Sequence, residues 1–95
     1  MEIVYTEMFE KWLRRLHDLR AQIVIGSRIE RIEDGNFGDH RSVGKGVSEL
    51  RINVGQGYRV YYTIRNKAVV ILLCGGDKST QQKDIQRAQQ MAGKL

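Results

Sequence analysis

Apolar positions along the chain change period several times, and each change marks an element. Glu2–Thr6, "EIVYT", alternates apolar and polar residues and is β-branched, which predicts a first strand. Phe9, Trp12, Leu13 and Leu16 then recur at helical spacing, with Thr6 placed to cap the helix and Glu7 and Glu10 in its first turn, where the dipole favours negative charge. Asp18 ends this helix or caps the next, in which Ala21, Val24, Ile25, Ile29 and Ile32 keep the period until Gly35 stops it. Two nearly consecutive helices of this kind make a hairpin. Asp34–Gly46, "DGNFGDHRSVGKG", is rich in Gly, Asp and Asn and has no period, so it reads as a loop.

The second half is strand-like. Ser48–Val54, "SELRINV", sets Leu50, Ile52 and Val54 on one face and Glu49, Arg51 and Asn53 on the other. Gly55–Gly57 fits a three-residue hairpin loop, so Val54 is expected opposite Tyr58, Ile52 opposite Val60 and Leu50 opposite Tyr62. In that register Arg51 and Arg59 are diagonal neighbours on an open polar face, with Tyr61 opposite Arg51. Asn66-Lys67 turns the chain into Ala68–Cys74, "AVVILLC", apolar on both faces and therefore an inner strand covered by the helical hairpin. Gly75-Gly76 allows a sharp turn, and Ser79 with Gln82 has the form of a capping box for a last helix carrying Ile85, Ala88 and Met91. The expected class is α+β in one domain over residues 1–95: N-terminal strand, helical hairpin, three-stranded antiparallel meander, short C-terminal helix.

Charge sharpens this picture. The chain carries 16 Lys and Arg against 11 Asp and Glu, net +5, yet residues 1–40 are net −2 and residues 41–95 net +7. A basic surface belonging to the second half suits a polyanion or an acidic protein segment. One cysteine excludes a disulfide framework, and two separated histidines, His17 and His40, exclude a zinc cluster. Cys74, at the end of an apolar strand, reads as packing. No apolar run has the length of a membrane span, and the N-terminus lacks an apolar signal region, which predicts a whole, unprocessed cytoplasmic protein that engages no membrane.

Two arginines on one strand face make a poor structural choice, because like charges repel. Their planar forks suit phosphate oxygens, and Tyr61 offers a ring on which a base stacks. Lys78, just past the inner strand and beside helix-N-terminal amides, is placed to hold a phosphate. His40, in the loop before Lys45, belongs to the residue type best fitted to acid–base work near neutrality.

The stretches "GVSELRINVGQGYRVYY" and "VVILLCGGDKSTQQKDI", in this order of elements, closely resemble the RelE/ParE superfamily of bacterial toxins, and within it the HigB-like addiction-module killer proteins. The resemblance implies a toxin of a type II toxin–antitoxin system, silenced by a cognate antitoxin, in this group expected to be a helix-turn-helix protein. It also implies cleavage of messenger RNA on the ribosome without metal or cofactor. Arg51 and Arg59 match the family's basic strand positions and are the expected electrostatic stabilisers, and Lys78 is the third catalytic residue, as a second cation or, if burial lowers its pKa, as the proton donor. Tyr61, Lys45, Gln81 and His40 are the expected RNA contacts. The chain departs from several relatives in having no aromatic residue after Tyr62, and Gln81 is expected to take part of that role. The ParE branch of the same superfamily acts on DNA gyrase instead, and a module that only binds nucleic acid or protein is the third alternative.

Overall fold

The computed structural model describes residues 1–95 and has the expected α+β architecture, with one strand more than the pattern predicts. Strand β1 (Glu2–Tyr5) is followed by helix α1 (Glu7–Arg15) and helix α2 (Leu19–Glu33). Strands β2 (His40–Gly44), β3 (Val47–Ile52), β4 (Tyr58–Arg65) and β5 (Val69–Asp77) come next, then a single 3-10 turn, Lys78–Thr80, and helix α3 (Gln81–Gly93). The five strands form one sheet in the order β1-β5-β4-β3-β2, with β1 parallel to β5 and the others antiparallel.

The caps of α1 and α2 are where the sequence puts them. Thr6 Oγ1 accepts the Phe9 N–H at 3.1 Å to start α1, and the Asp18 carboxylate accepts the Ala21 N–H at 3.0 Å to start α2. Gly35 closes α2 with φ of +83°, a conformation that favours glycine. Phe9, Ala21, Ile25, Ile29 and Ile32 from α1 and α2 pack on Leu50, Ile52, Tyr58, Val60 and Tyr62, the apolar face read from β3 and β4, and on Val70 and Leu72 of β5. The helical hairpin covers one face of the sheet.

The other face is covered too. Ala88 and Ala92 of α3 pack on Val47, Tyr61, Leu73 and Cys74 in a second, smaller core. Two small residues let the helix backbone approach the sheet closely.

Three expectations are corrected. His40–Gly44 forms strand β2, although its residues lie in the stretch read as loop. As an edge strand exposed on both faces apart from half-buried Val43, it leaves no alternation to read. The β3–β4 connection is longer than three residues, so Ile52 faces Tyr58, Leu50 faces Val60 and Arg51 directly faces Arg59. A two-residue shift keeps every side chain on its expected face while changing its partner. The capping box before α3 is made by Asp77 and Thr80 around the 3-10 turn, two residues earlier than Ser79 and Gln82.

A bulge in β5 has the largest consequence for the site. Tyr61 pairs with Cys74 and Tyr62 with Leu72, so Leu73 is the extra residue. Beyond it the alternation of faces is reset. Gly75 points at the Trp12 ring of α1, and Gly76 at Asp84 and Thr80 on the α3 side.

Candidate nucleic-acid interface

The strand face carrying Glu49, Arg51, Arg59 and Tyr61 is the one that α3 covers, so it is not the open surface that alternation suggests. Tyr61 is fully buried and its hydroxyl has no hydrogen-bond partner. Burial first, and the Glu49 carboxylate second, push that phenol well above its ordinary range. It is a core residue and presents no ring for a base.

Glu49 is the centre of what remains. Its side chain has no solvent exposure, and its Oε1 lies 3.3 Å from Arg41 Nε and 3.4 Å from Arg59 Nε. Its Oε2 accepts a hydrogen bond from Gln81 Nε2 at 2.8 Å. Arg59 is itself only 7 % exposed, and its Nη1 donates to the Tyr58 carbonyl at 3.1 Å. The Nε–Glu49 contact has ion-pair distance without hydrogen-bond alignment. Opposite Arg59, the Arg51 side chain is 40 % exposed and its Nη2 lies 3.3 Å from Asp39 Oδ1. Two guanidiniums facing each other across a strand pair repel. Here each has its own carboxylate, one buried and one at the surface.

Lys78 joins this end of the sheet from the far side of β4. Its backbone N–H donates to the Gly57 carbonyl at 3.1 Å, and its side-chain stem lies against Gly57, where an added Cβ would be 2.7 Å from Lys78 Cε. Gly57, with φ of +79°, gives the lysine this path. Lys78 is exposed, so the burial on which a proton-donor role depended is absent. The amide at the start of the 3-10 turn is occupied as well: Ser79 N–H donates to Asp77 Oδ1 at 2.8 Å. Lys78 is an exposed cation beside Gly57, without a helix-terminal anion nest.

The structure therefore joins Arg51, Arg59 and Gln81 around Glu49, sets Lys78 beside Gly57 at the start of β4, and, besides Tyr61, leaves out two expected contacts. His40 pairs with Leu50 in the sheet and so lies on the face opposite Arg51, its Nδ1 2.8 Å from the Gly38 carbonyl and its ring against Phe37. Lys45, in the β2–β3 turn, sits at the other end of β3, six residues or about 20 Å of strand from Arg51. Two participants were missed. Arg41, 52 % exposed, lay inside the presumed loop, and Glu49 was one acidic residue on an alternating strand. Neither carries a local signal, because both matter through pairing across the sheet.

Cys74 has no part in the site. Its Sγ lies 3.8 Å from the Asp84 carbonyl, and burial, aided by Asp84, pushes the thiol from 9.0 up to about 12. Because the folded value is raised, the thiol's contribution to stability is fully present below pH 9 and is lost as pH rises towards 12. At pH 8 Cys74 is expected to resist Ellman's reagent in the folded protein and to react once urea unfolds it. Reaction at the free-thiol rate without urea would show that the second core opens readily.

The larger openings of the surface lie elsewhere. One of ≈ 550 Å³ runs between α1 and α3 beside Met8, Trp12 and Arg87, and one of ≈ 580 Å³ is lined by His17, Asp18, Tyr58 and Asp77. Arg51 and Arg59 line neither.

The sheet, with β1 parallel to β5, thus carries a helical hairpin on one face and on the other a third helix that closes a cationic cluster. The backbone matches the solved structure of a double arginine-to-alanine mutant of the E. coli toxin RelE in the free state, with a TM-score of 0.72 over 96 % of this chain and 95 % of that one, at 16 % identity. The chain belongs to the phage-derived protein Gp49-like family (DUF891), whose sequence profile matches residues 11–92. It is also 54 % identical to an uncharacterized protein of Haemophilus influenzae strain Rd, over 100 % of this chain and 96 % of that protein. The RelE/ParE resemblance read from the sequence is thereby borne out. No helix is long and apolar enough to cross a membrane.

Proposed function

We propose that this chain is the toxin of a type II toxin–antitoxin pair, a HigB-like endoribonuclease that cuts messenger RNA on the ribosome, in the cytoplasm, without metal. The observation that carries the reading is the convergence of Arg41, Arg51, Arg59 and Lys78 on one end of the sheet, in a fold shared with RelE. RNA cleavage by attack of a ribose 2′-hydroxyl on the adjacent phosphate passes through a crowded, doubly charged phosphorane, which fixed cations stabilise. Arg41, Arg51 and Lys78, the exposed members, contact the phosphates. Arg59 lies behind them and supports the field from within. Catalysis in this reading is positioning plus electrostatic stabilisation. The cognate antitoxin, an expected helix-turn-helix protein, has to answer the same basic face, and an acidic segment is the natural cover.

Arg51→Ala and Lys78→Ala test this directly, since both remove exposed groups. Each is expected to lower cleavage by about 10²–10³ and to release cells from growth arrest, while circular dichroism stays that of the parent. Primer extension on translated message reads the cuts. With Arg41, Arg51 and Lys78 each holding one phosphate, log K for a short RNA should fall with log salt at a slope of about −2, and Arg51→Ala should flatten it by about 0.7. Growth arrest that tracks gyrase binding while message stays intact would overturn the ribonuclease reading in favour of the ParE-like one.

A further inference from the structure

We propose that Glu49 is a positioning residue of this site: it holds the Arg59 guanidinium in place beneath the RNA path and ties the first turn of α3 to it, without touching RNA. The inference rests on the ribonuclease reading above. A carboxylate in the middle of a cationic cluster invites the role of general base, and the geometry here opposes that role. A base must come within about 3 Å of the hydroxyl it deprotonates, directly or through one water. Glu49 has no exposed surface, and both its oxygens are committed: Oε1 to Arg41 and Arg59, Oε2 to Gln81.

The same contacts show what the carboxylate does. Arg51 and Arg59 face each other directly, and Arg41 approaches from the neighbouring strand. Three guanidiniums around one strand repel unless an anion sits among them. Glu49 is that anion, and its burial strengthens the effect. Gln81, the residue that ties α3 to it, lies three positions after Lys78, so one buried carboxylate fixes Arg59 and the segment that carries Lys78. The Arg59 Nε contact lies at 3.4 Å without hydrogen-bond alignment. It restrains the guanidinium mainly through charge, and so keeps it behind the exposed cations.

Glu49→Gln keeps the shape and removes the charge. With that charge gone, Arg59 becomes available as a further phosphate contact, so the salt slope for a short RNA should steepen by about 0.7. Affinity should hold or rise while turnover falls at least tenfold, because the guanidinium is no longer held where the phosphorane forms. The shape of the pH–rate profile should not change. By nitrogen-15 NMR, the Arg59 Nε proton should exchange at least tenfold faster than in the parent, a readout that needs no activity. Glu49→Asp, which restores the charge, should recover part of the turnover.

A pH profile that loses its acidic limb in Glu49→Gln, with the salt slope unchanged, would make Glu49 the base and overturn the proposal. So would turnover and proton exchange equal to the parent's. Should Glu49→Gln fail to fold by circular dichroism, Gln81→Ala carries the test: the amides of the first turn of α3 should exchange faster and turnover should fall with RNA affinity unchanged, and parental values of both would refute the tie. A parent protein that neither binds nor cuts RNA would sink the ribonuclease reading itself. Unchanged variants of an active parent would sink only the role of Glu49.

Discussion

Arg59→Ala is expected to destabilise the fold by about 3–5 kcal/mol, whereas Arg51→Ala costs less than about 1 kcal/mol. The two arginines face each other and look equivalent in sequence, but their surroundings differ. Removing Arg59 leaves the fully buried Glu49 carboxylate with Arg41, which is half in water, and the Gln81 amide. A buried charge stripped of its one buried cationic partner costs far more than the pair contributed. Arg51 pairs at the surface with Asp39, where solvent supplies most of what the ion pair loses. For a domain whose whole stability is of the order of 5–15 kcal/mol, the first change takes a large share and the second almost none. Urea denaturation followed by the emission of the lone tryptophan, Trp12, measures both. Equal midpoints for the two variants would mean that Glu49 is satisfied without Arg59. Loss of growth arrest in Arg59→Ala is for the same reason weak evidence about RNA, and Arg51 and Lys78 are the sites at which function separates from folding.

Much of this architecture is legible in the chain because it is local. Helical period, the caps Thr6 and Asp18, the stop at Gly35 and the two-residue alternation of β3 and β4 each depend on residues within a turn or two of one another. What the sequence conceals is long-range. Strand β2 is exposed on both faces, so nothing in its pattern separates it from a loop. The C-terminal helix is readable as a helix, but its docking row is made of Ala88 and Ala92, whose small side chains give no sign that they pack on Tyr61. The polar face of β3 and β4 was accordingly expected to be open. Arg51 and Arg59 share one strand face, as the alternation suggests, whereas the pairing of Glu49 with Arg41 and Arg59 depends on strand order and register. A five-residue connection in place of a three-residue one moved Arg59 from Arg51's diagonal to its direct opposite.

Gly75→Ala and Gly76→Ala are expected to be the most damaging changes outside the charged cluster, each by its own route. The Leu73 bulge sends the two glycines to opposite faces, so one added methyl group meets the α1 side and the other the α3 side. At Gly75 it would run into the six-membered ring of Trp12, a rigid group anchored against Phe9 at 5.8 Å and Tyr58 at 6.5 Å between ring centres. Overpacking of this kind costs about 1–3 kcal/mol, and the ring has to move. At Gly76 the methyl would strike the Asp84 carboxylate and approach Thr80 Oγ1 at 2.9 Å, displacing a hydrogen bond from Thr80 to Asp84 of 2.6 Å. Asp84 is buried, so the overpacking penalty is joined by about 1–3 kcal/mol for a carboxylate left without its donor. Urea midpoints should therefore fall in both variants, and further in Gly76→Ala. The emission maximum separates the routes: it should shift in Gly75→Ala, where the Trp12 ring is pushed from its seat, and stay with the parent in Gly76→Ala, where the disturbance is confined to the start of α3. An unshifted maximum together with an unchanged midpoint in Gly75→Ala would show that α1 yields to the extra methyl freely, and that the double glycine is not what lets α1 and α3 close on the end of β5.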